Sequence, residues 1–193
     1  VDCKDAKASS PKPELVTKPA QPKASQGVSF SEKDGQVAIH INGQEVATYV
    51  YSDPLILRPY FKNVKTLDGT QVTRNHPPLE GQDSNDHASM HPGIWMAFGD
   101  ISGSDFWRNH SRVIHEKFIT IPRDAETLGR FTVLNRFQDI EGETICRQTV
   151  THEIRAMEGG WLLTYDCEFS SDRSFYFGDQ EEMGLGVRLA TPF

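Results

Sequence analysis

Between Asn75 and His110 the chain gathers His76, Glu80, Asp83, Asp86, His87, His91, Asp100, Asp105, Arg108 and His110 among Trp95, Phe106 and Trp107. Imidazole is the side chain best suited to take up or release a proton near neutral pH, and a carboxylate beside it can orient the ring or share the proton. The first chemistry this composition permits is therefore acid–base work, with His76, His87 and His91 as the expected catalytic residues. A second is metal ligation. The spacing His87-Ala-Ser-Met-His91 puts two imidazoles on one helical face, and Asp86 or Glu80 would add an oxygen ligand for a divalent ion. No Glu follows His87, so this is not the metalloprotease pattern, and Pro92 argues against a helix running past His91. The third alternative is that these histidines bond backbone carbonyls and hold an irregular loop in shape.

Flat aromatic faces suit the C–H face of a pyranose, and polar side chains around them bond its hydroxyls. Trp95 and Trp107 would supply the first, and Arg58, Asp86, Asp100, Asp105 and Arg108 the second, so the expected partner is a carbohydrate or another small polar molecule. A serine nucleophile has no support, because no Gly-x-Ser-x-Gly elbow occurs. Gly184-Leu-Gly186 lacks the third glycine and the context of a phosphate-binding loop. A divalent metal is the one cofactor the residues leave open.

The elements that must hold these side chains read as strands. Val37, Ile39 and Ile41 alternate up to Asn42-Gly43, and Val46, Thr48 and Val50 continue beyond it, the strongest short-range hairpin signal. Asp34-Gly35 and Asp68-Gly69 repeat the device. Runs rich in β-branched and aromatic residues follow at Arg112 to Ile121, Phe131 to Ile140, Thr144 to Ile154 and Trp161 to Phe169. No four-turn amphipathic helix can be placed, so the expected fold is all-β, an antiparallel β-sandwich over residues 27–193. The stretch from Asn75 to His110 breaks the alternation with Pro and Gly and is expected to be one ordered functional loop. In a hairpin turning between Arg155 and Gly160, Cys146 and Cys167 come nearly opposite, as a disulfide or as two buried reduced thiols.

Residues 1–26 carry four of the eleven prolines, five lysines and three acids, with Leu15 and Val16 as the main large apolar side chains. Such a segment cannot bury enough surface to offset chain entropy, and it is expected to be a disordered tether. Cys3 stands where a lipid anchor stands in a processed bacterial lipoprotein; the alternative is an incidental thiol, and Asp2 before it suits lipoprotein processing poorly. Together these features point to a periplasmic or secreted protein. The net charge of −7 and the scattered basic residues argue against nucleic acid as a partner. No run reaches the ~18 apolar residues of a transmembrane helix.

Arg58-Pro-Tyr-Phe61, Asn75-His-Pro-Pro78, Asp86-His87, His91-Pro-Gly-Ile-Trp95, Gly99-Asp100, Asp105-Phe-Trp-Arg-Asn109 and Gly184-Leu-Gly-Val-Arg188 together resemble the PmoA-like family of exported bacterial proteins of unknown function. The likeness runs from about Val28 to the end of the chain, and the family's adjacent histidines are replaced here by His87-x-x-x-His91. It implies a sandwich in the style of the sugar mutarotases, with this chain an N-terminal fragment whose sheet lacks partner strands. It does not imply the methane oxygenase activity of the family label, since that enzyme subunit is an integral membrane protein. The leading expectation is an extracytoplasmic protein that binds a carbohydrate and, as an epimerase, lyase or hydrolase, transforms it at His76, His87 and His91. The alternatives are a non-catalytic carbohydrate-binding or cell-envelope module and a divalent-metal protein.

Overall fold

The computed structural model describes residues 27–181 and 183–191. The expected tether, with Cys3, lies outside the described residues. Among those residues there are ten strands and no helix, and the strands form two antiparallel sheets packed face to face, the expected sandwich.

The first three strands follow from their turns. β1 (Val28–Lys33), β2 (Gln36–Ile41) and β3 (Gln44–Val50) are joined through Asp34-Gly35 and Asn42-Gly43. These four residues all have positive φ, from 51° to 82°. Two successive left-handed residues make a type I′ turn, whose twist matches that of the strands it joins. The turns thereby set the register, with Lys33 facing Gln36 and Ile41 facing Gln44. β4 (Tyr60–Lys62), β5 (Ile94–Phe98) and β10 (Met183–Val187) extend this sheet to six strands in the order β1-β2-β3-β4-β5-β10. β5 corrects the expectation of one continuous loop from Asn75 to His110, because Ile94–Phe98 pairs with β4 on one side and β10 on the other. With apolar residues on both faces, it has no polar alternation to announce it.

The second sheet is a meander of β6 (Arg112–Arg123), β7 (Leu128–Gln138), β8 (Thr144–Met157) and β9 (Gly160–Ser170). Phe131 and Val133 of β7, and Val150 and Ile154 of β8, are buried against Val37, Ile39, Tyr49 and Phe61 of the larger sheet. Fully burying each such apolar side chain contributes roughly 1.5–3 kcal/mol. β8 and β9 form the expected hairpin, and the register sets Cys167 opposite Val150 and not opposite Cys146. Both thiols are free, which corrects the disulfide alternative, and burial pushes each up to about 11.

Six strands lie over four, and β10 overhangs. Met96 of β5 points at the opposite sheet, since its Sδ meets Gln148 Nε2 and Cys167 Sγ. Cross-strand partners share a face, so Met183, Leu185 and Val187, opposite Phe98, Met96 and Ile94, also face inward. The smaller sheet does not reach beneath them: Leu185 is 52 % exposed.

Candidate functional site

The other face of β4 and β5 carries Tyr60, Trp95 and Ala97, all buried under loops. Two arginines tie these loops down. Arg58, 4 % exposed, donates to the carbonyls of Phe106 and Met90, and its guanidinium lies 5.7 Å from the centre of the Trp95 ring. Arg74 is 0 % exposed. Its Nη1 donates to Ser84 O and Asp86 O at 2.8 and 2.7 Å, and its Nη2 to His91 O at 3.0 Å. One planar fork thus sets the course of residues 84–91, a geometry that an ammonium could not reproduce.

Within that segment the spacing between the two histidines closes a single helical turn, with the amides of Met90 and His91 both donating to His87 O. Pro92 then ends it, as expected. The two imidazoles come side by side, 5.0 Å between centres. His91 lies flat on Trp95 at 4.8 Å and edge-on to Trp107 at 5.9 Å. His87 is the outer member of this stack, 58 % exposed, and its backbone is left-handed with φ 51°. A left-handed backbone is uncommon outside Gly, though Asn, Asp and His take it up more readily than other residues.

Asp86 lies beside it, Oδ2 at 3.6 Å from His87 Nδ1. Its other oxygen accepts from Ser84 Oγ and Arg188 Nη2, with Arg74 Nη1 at 3.7 Å. The Ser84 hydroxyl, with Arg188 and Arg74, holds the Asp86 carboxyl below the usual carboxylate range. The arrangement is an exposed imidazole between a fixed carboxylate and a stacked pair of aromatic rings. It can exchange a proton with a bound polar group and present a flat face to it.

The other expected site residues fall elsewhere or serve the scaffold. His76 makes its ring contact with Tyr60 at 5.3 Å and not with the histidine pair. Burial pushes its pKa down, partly offset by Asp53. Trp95 at 2 % exposure is a floor beneath His91, which corrects its assignment as a sugar platform; Arg58 is likewise corrected, being consumed by carbonyls. Asp100 accepts from the Gly103 amide in a turn. Asp105 accepts from the amide and guanidinium of Arg108, and its carboxylate lies 3.6 Å from His110 Nδ1. These two acids shape the 100–110 connection. Trp107 is half-buried against His91 and Trp95, and Arg108 is exposed beside Asp105. Among the described residues no three His, Cys, Asp or Glu side chains gather in the manner of a metal site. Sequence reasoning missed Arg74 and Arg188 as site residues; the only signal was the Gly184-to-Arg188 segment, which marked a likeness without a role.

Residues 36–193, the span that holds both sheets beyond β1 and every residue of this cluster, match the Family of unknown function (DUF6807). The chain belongs to this family. No curated protein and no solved structure matches it. In this DUF6807 chain the site therefore has to be read from its own geometry.

Proposed function

We propose that this DUF6807 protein is an extracytoplasmic carbohydrate-binding protein whose site is the shelf of Asp86, His87, His91 and Trp107, with His87 as the acid–base group if the bound sugar is transformed. The observation that carries the reading is His87: exposed, held in a left-handed backbone, with an ionised carboxylate on one side and an aromatic stack on the other. The extracytoplasmic setting rests on the Pro/Lys-rich segment 1–26 and on the likeness to the PmoA-like family, which belongs to this same proposal. No oxygenase chemistry is part of it.

A non-catalytic module is the second reading. Arg58 and Asp105, and Asn109 bridging Leu57 N and Leu55 O, spend their polar groups inside the protein, as braces do. Calorimetry against a panel of neutral and acidic saccharides, with turnover followed on any that bind, tests both. We expect at least one saccharide to bind, Trp107→Ala to weaken it about tenfold, and His87→Ala to abolish turnover in an enzyme while leaving binding intact in a module. A panel in which nothing binds the unaltered chain defeats both readings.

A further inference from the structure

The space between the sheets holds polar groups that the loop site does not use. Asn135 of β7 and Gln148 and His152 of β8 point inward among apolar neighbours at 3 %, 3 % and 1 % exposure, and Tyr49 of β3 faces them at 1 %. Tyr49, Met96, Asn135, Gln148, His152 and Tyr165 line a cavity of about 20 Å³. Some of their hydrogen bonds are closed internally: Asn135 Nδ2 donates to Gln148 Oε1 at 3.2 Å, and Gln148 Nε2 meets Met96 Sδ at 3.5 Å.

Three atoms are not so provided for. Tyr49 Oη and His152 Nδ1 are buried and have no hydrogen-bond partner within the protein, and Asn135 Oδ1, with the His115 ring beside it, is likewise buried without a well-formed hydrogen bond and keeps a lone pair to offer. Orphaned polar atoms of this kind cost about tenfold or more each in the folding equilibrium, and natural interiors rarely keep them. The cavity exceeds the roughly 10–15 Å³ that one water needs, and it leaves no room for a larger ligand. Its lining also includes Pro59, Val113 and Val150, but the orphaned polar atoms face it, whereas cavities that stay dry are apolar throughout.

We infer that one water molecule is a built-in part of this fold, bridging Tyr49 Oη on the larger sheet to Asn135 Oδ1 and His152 Nδ1 on the smaller. The chemistry closes. Water donates its two hydrogens to the amide oxygen and the imidazole nitrogen and accepts the tyrosine proton. Burial pushes His152 down to about 3, so its ring is neutral and one nitrogen is an acceptor. The bridge would add a directional link between sheets that meet mainly through non-directional apolar packing, and it would help to fix how they are stacked.

Tyr49→Phe removes the hydroxyl and keeps the ring. With a bridging water, the variant should unfold with an equilibrium constant about tenfold higher, and oxygen-17 relaxation dispersion should count one fewer long-lived internal water than in the unaltered chain. A variant equally or more stable overturns the inference, because deleting a truly orphaned hydroxyl relieves a penalty. So does an unchanged water count. Should the variant not fold, a crystal structure of the unaltered chain answers alone: density within hydrogen-bond reach of Tyr49 Oη and Asn135 Oδ1 supports the bridge, and a dry cavity refutes it.

Discussion

Arg74 is a full charge with no exposed surface, and its partners are mainly the carbonyls of the segment that carries the histidines. Replacing it by Met would leave three acceptors without their donor and loosen residues 84–91. We expect Arg74→Met to cost about 3 kcal/mol in urea denaturation and to speed proteolytic cleavage between Ser84 and His91. Arg74→Lys should recover little of this, since one ammonium cannot span both directions of the fork. The pairing of His87 with His91 was legible in the sequence, because a four-residue spacing ended by Pro admits one helical turn and little else. Arg74 was not legible. An arginine is almost always a surface residue, and nothing in its neighbours marks this one as buried.

Among the elements, β5 and β10 show what close packing demands. Gly186 faces Trp95 across the β5–β10 ladder, and a Cβ there would lie 2.4 Å from the indole ring. The ring cannot retreat, because His91 and Trp107 pack against it. Gly186→Ala should therefore destabilise the protein by about 1–3 kcal/mol, measured by urea unfolding, with a change in tryptophan emission as Trp95 is displaced. The hairpins at Asp34-Gly35 and Asn42-Gly43 were readable because a two-residue turn is local chemistry. β5 was not, because its partners lie far away in the chain, and a strand with apolar residues on both faces shows no alternation.

For the molecule as a whole, three histidines are held neutral by burial. His152 is pushed down to about 3, and His76 and His115 are lowered as well. Each has a folded pKa below its unfolded value near 6.5, so on acidification the unfolded chain takes up protons that the folded one refuses. The stabilisation is fully present above about pH 6.5 and is lost as pH falls towards 3. Below about pH 4 the depressed carboxyl of Asp86, and that of Asp53, held down by backbone amides and the Tyr60 hydroxyl, add to the loss. Urea midpoints should fall steadily from pH 7 to pH 4, with His152 accounting for on the order of 3 kcal/mol, and His152→Leu should flatten the slope. A pH-independent midpoint over that range would contradict the burial. The sandwich itself was readable from turns at short spacing, but the division of strands into six and four was not, since it depends on β10 returning to pair with β5.

β10 ends its sheet and also supplies the residue after its last position, Arg188, to the histidine loop. Arg188 is joined there three times: its amide donates to Gly93 O, its carbonyl accepts from the Arg74 amide, and its guanidinium holds Asp86. The outer edge of β10, unpaired among the described residues, is thus joined to the candidate site through a single residue. Any strand that added to β10 and shifted Arg188 would alter the carboxylate beside His87. By thermodynamic reciprocity, whatever occupied the site would change the affinity of that edge by the same factor. An open sheet edge is usually a liability to be blunted; the outer edge of β10, unpaired among the described residues, lies one residue from the arginine that holds the carboxylate beside the exposed imidazole of the histidine stack.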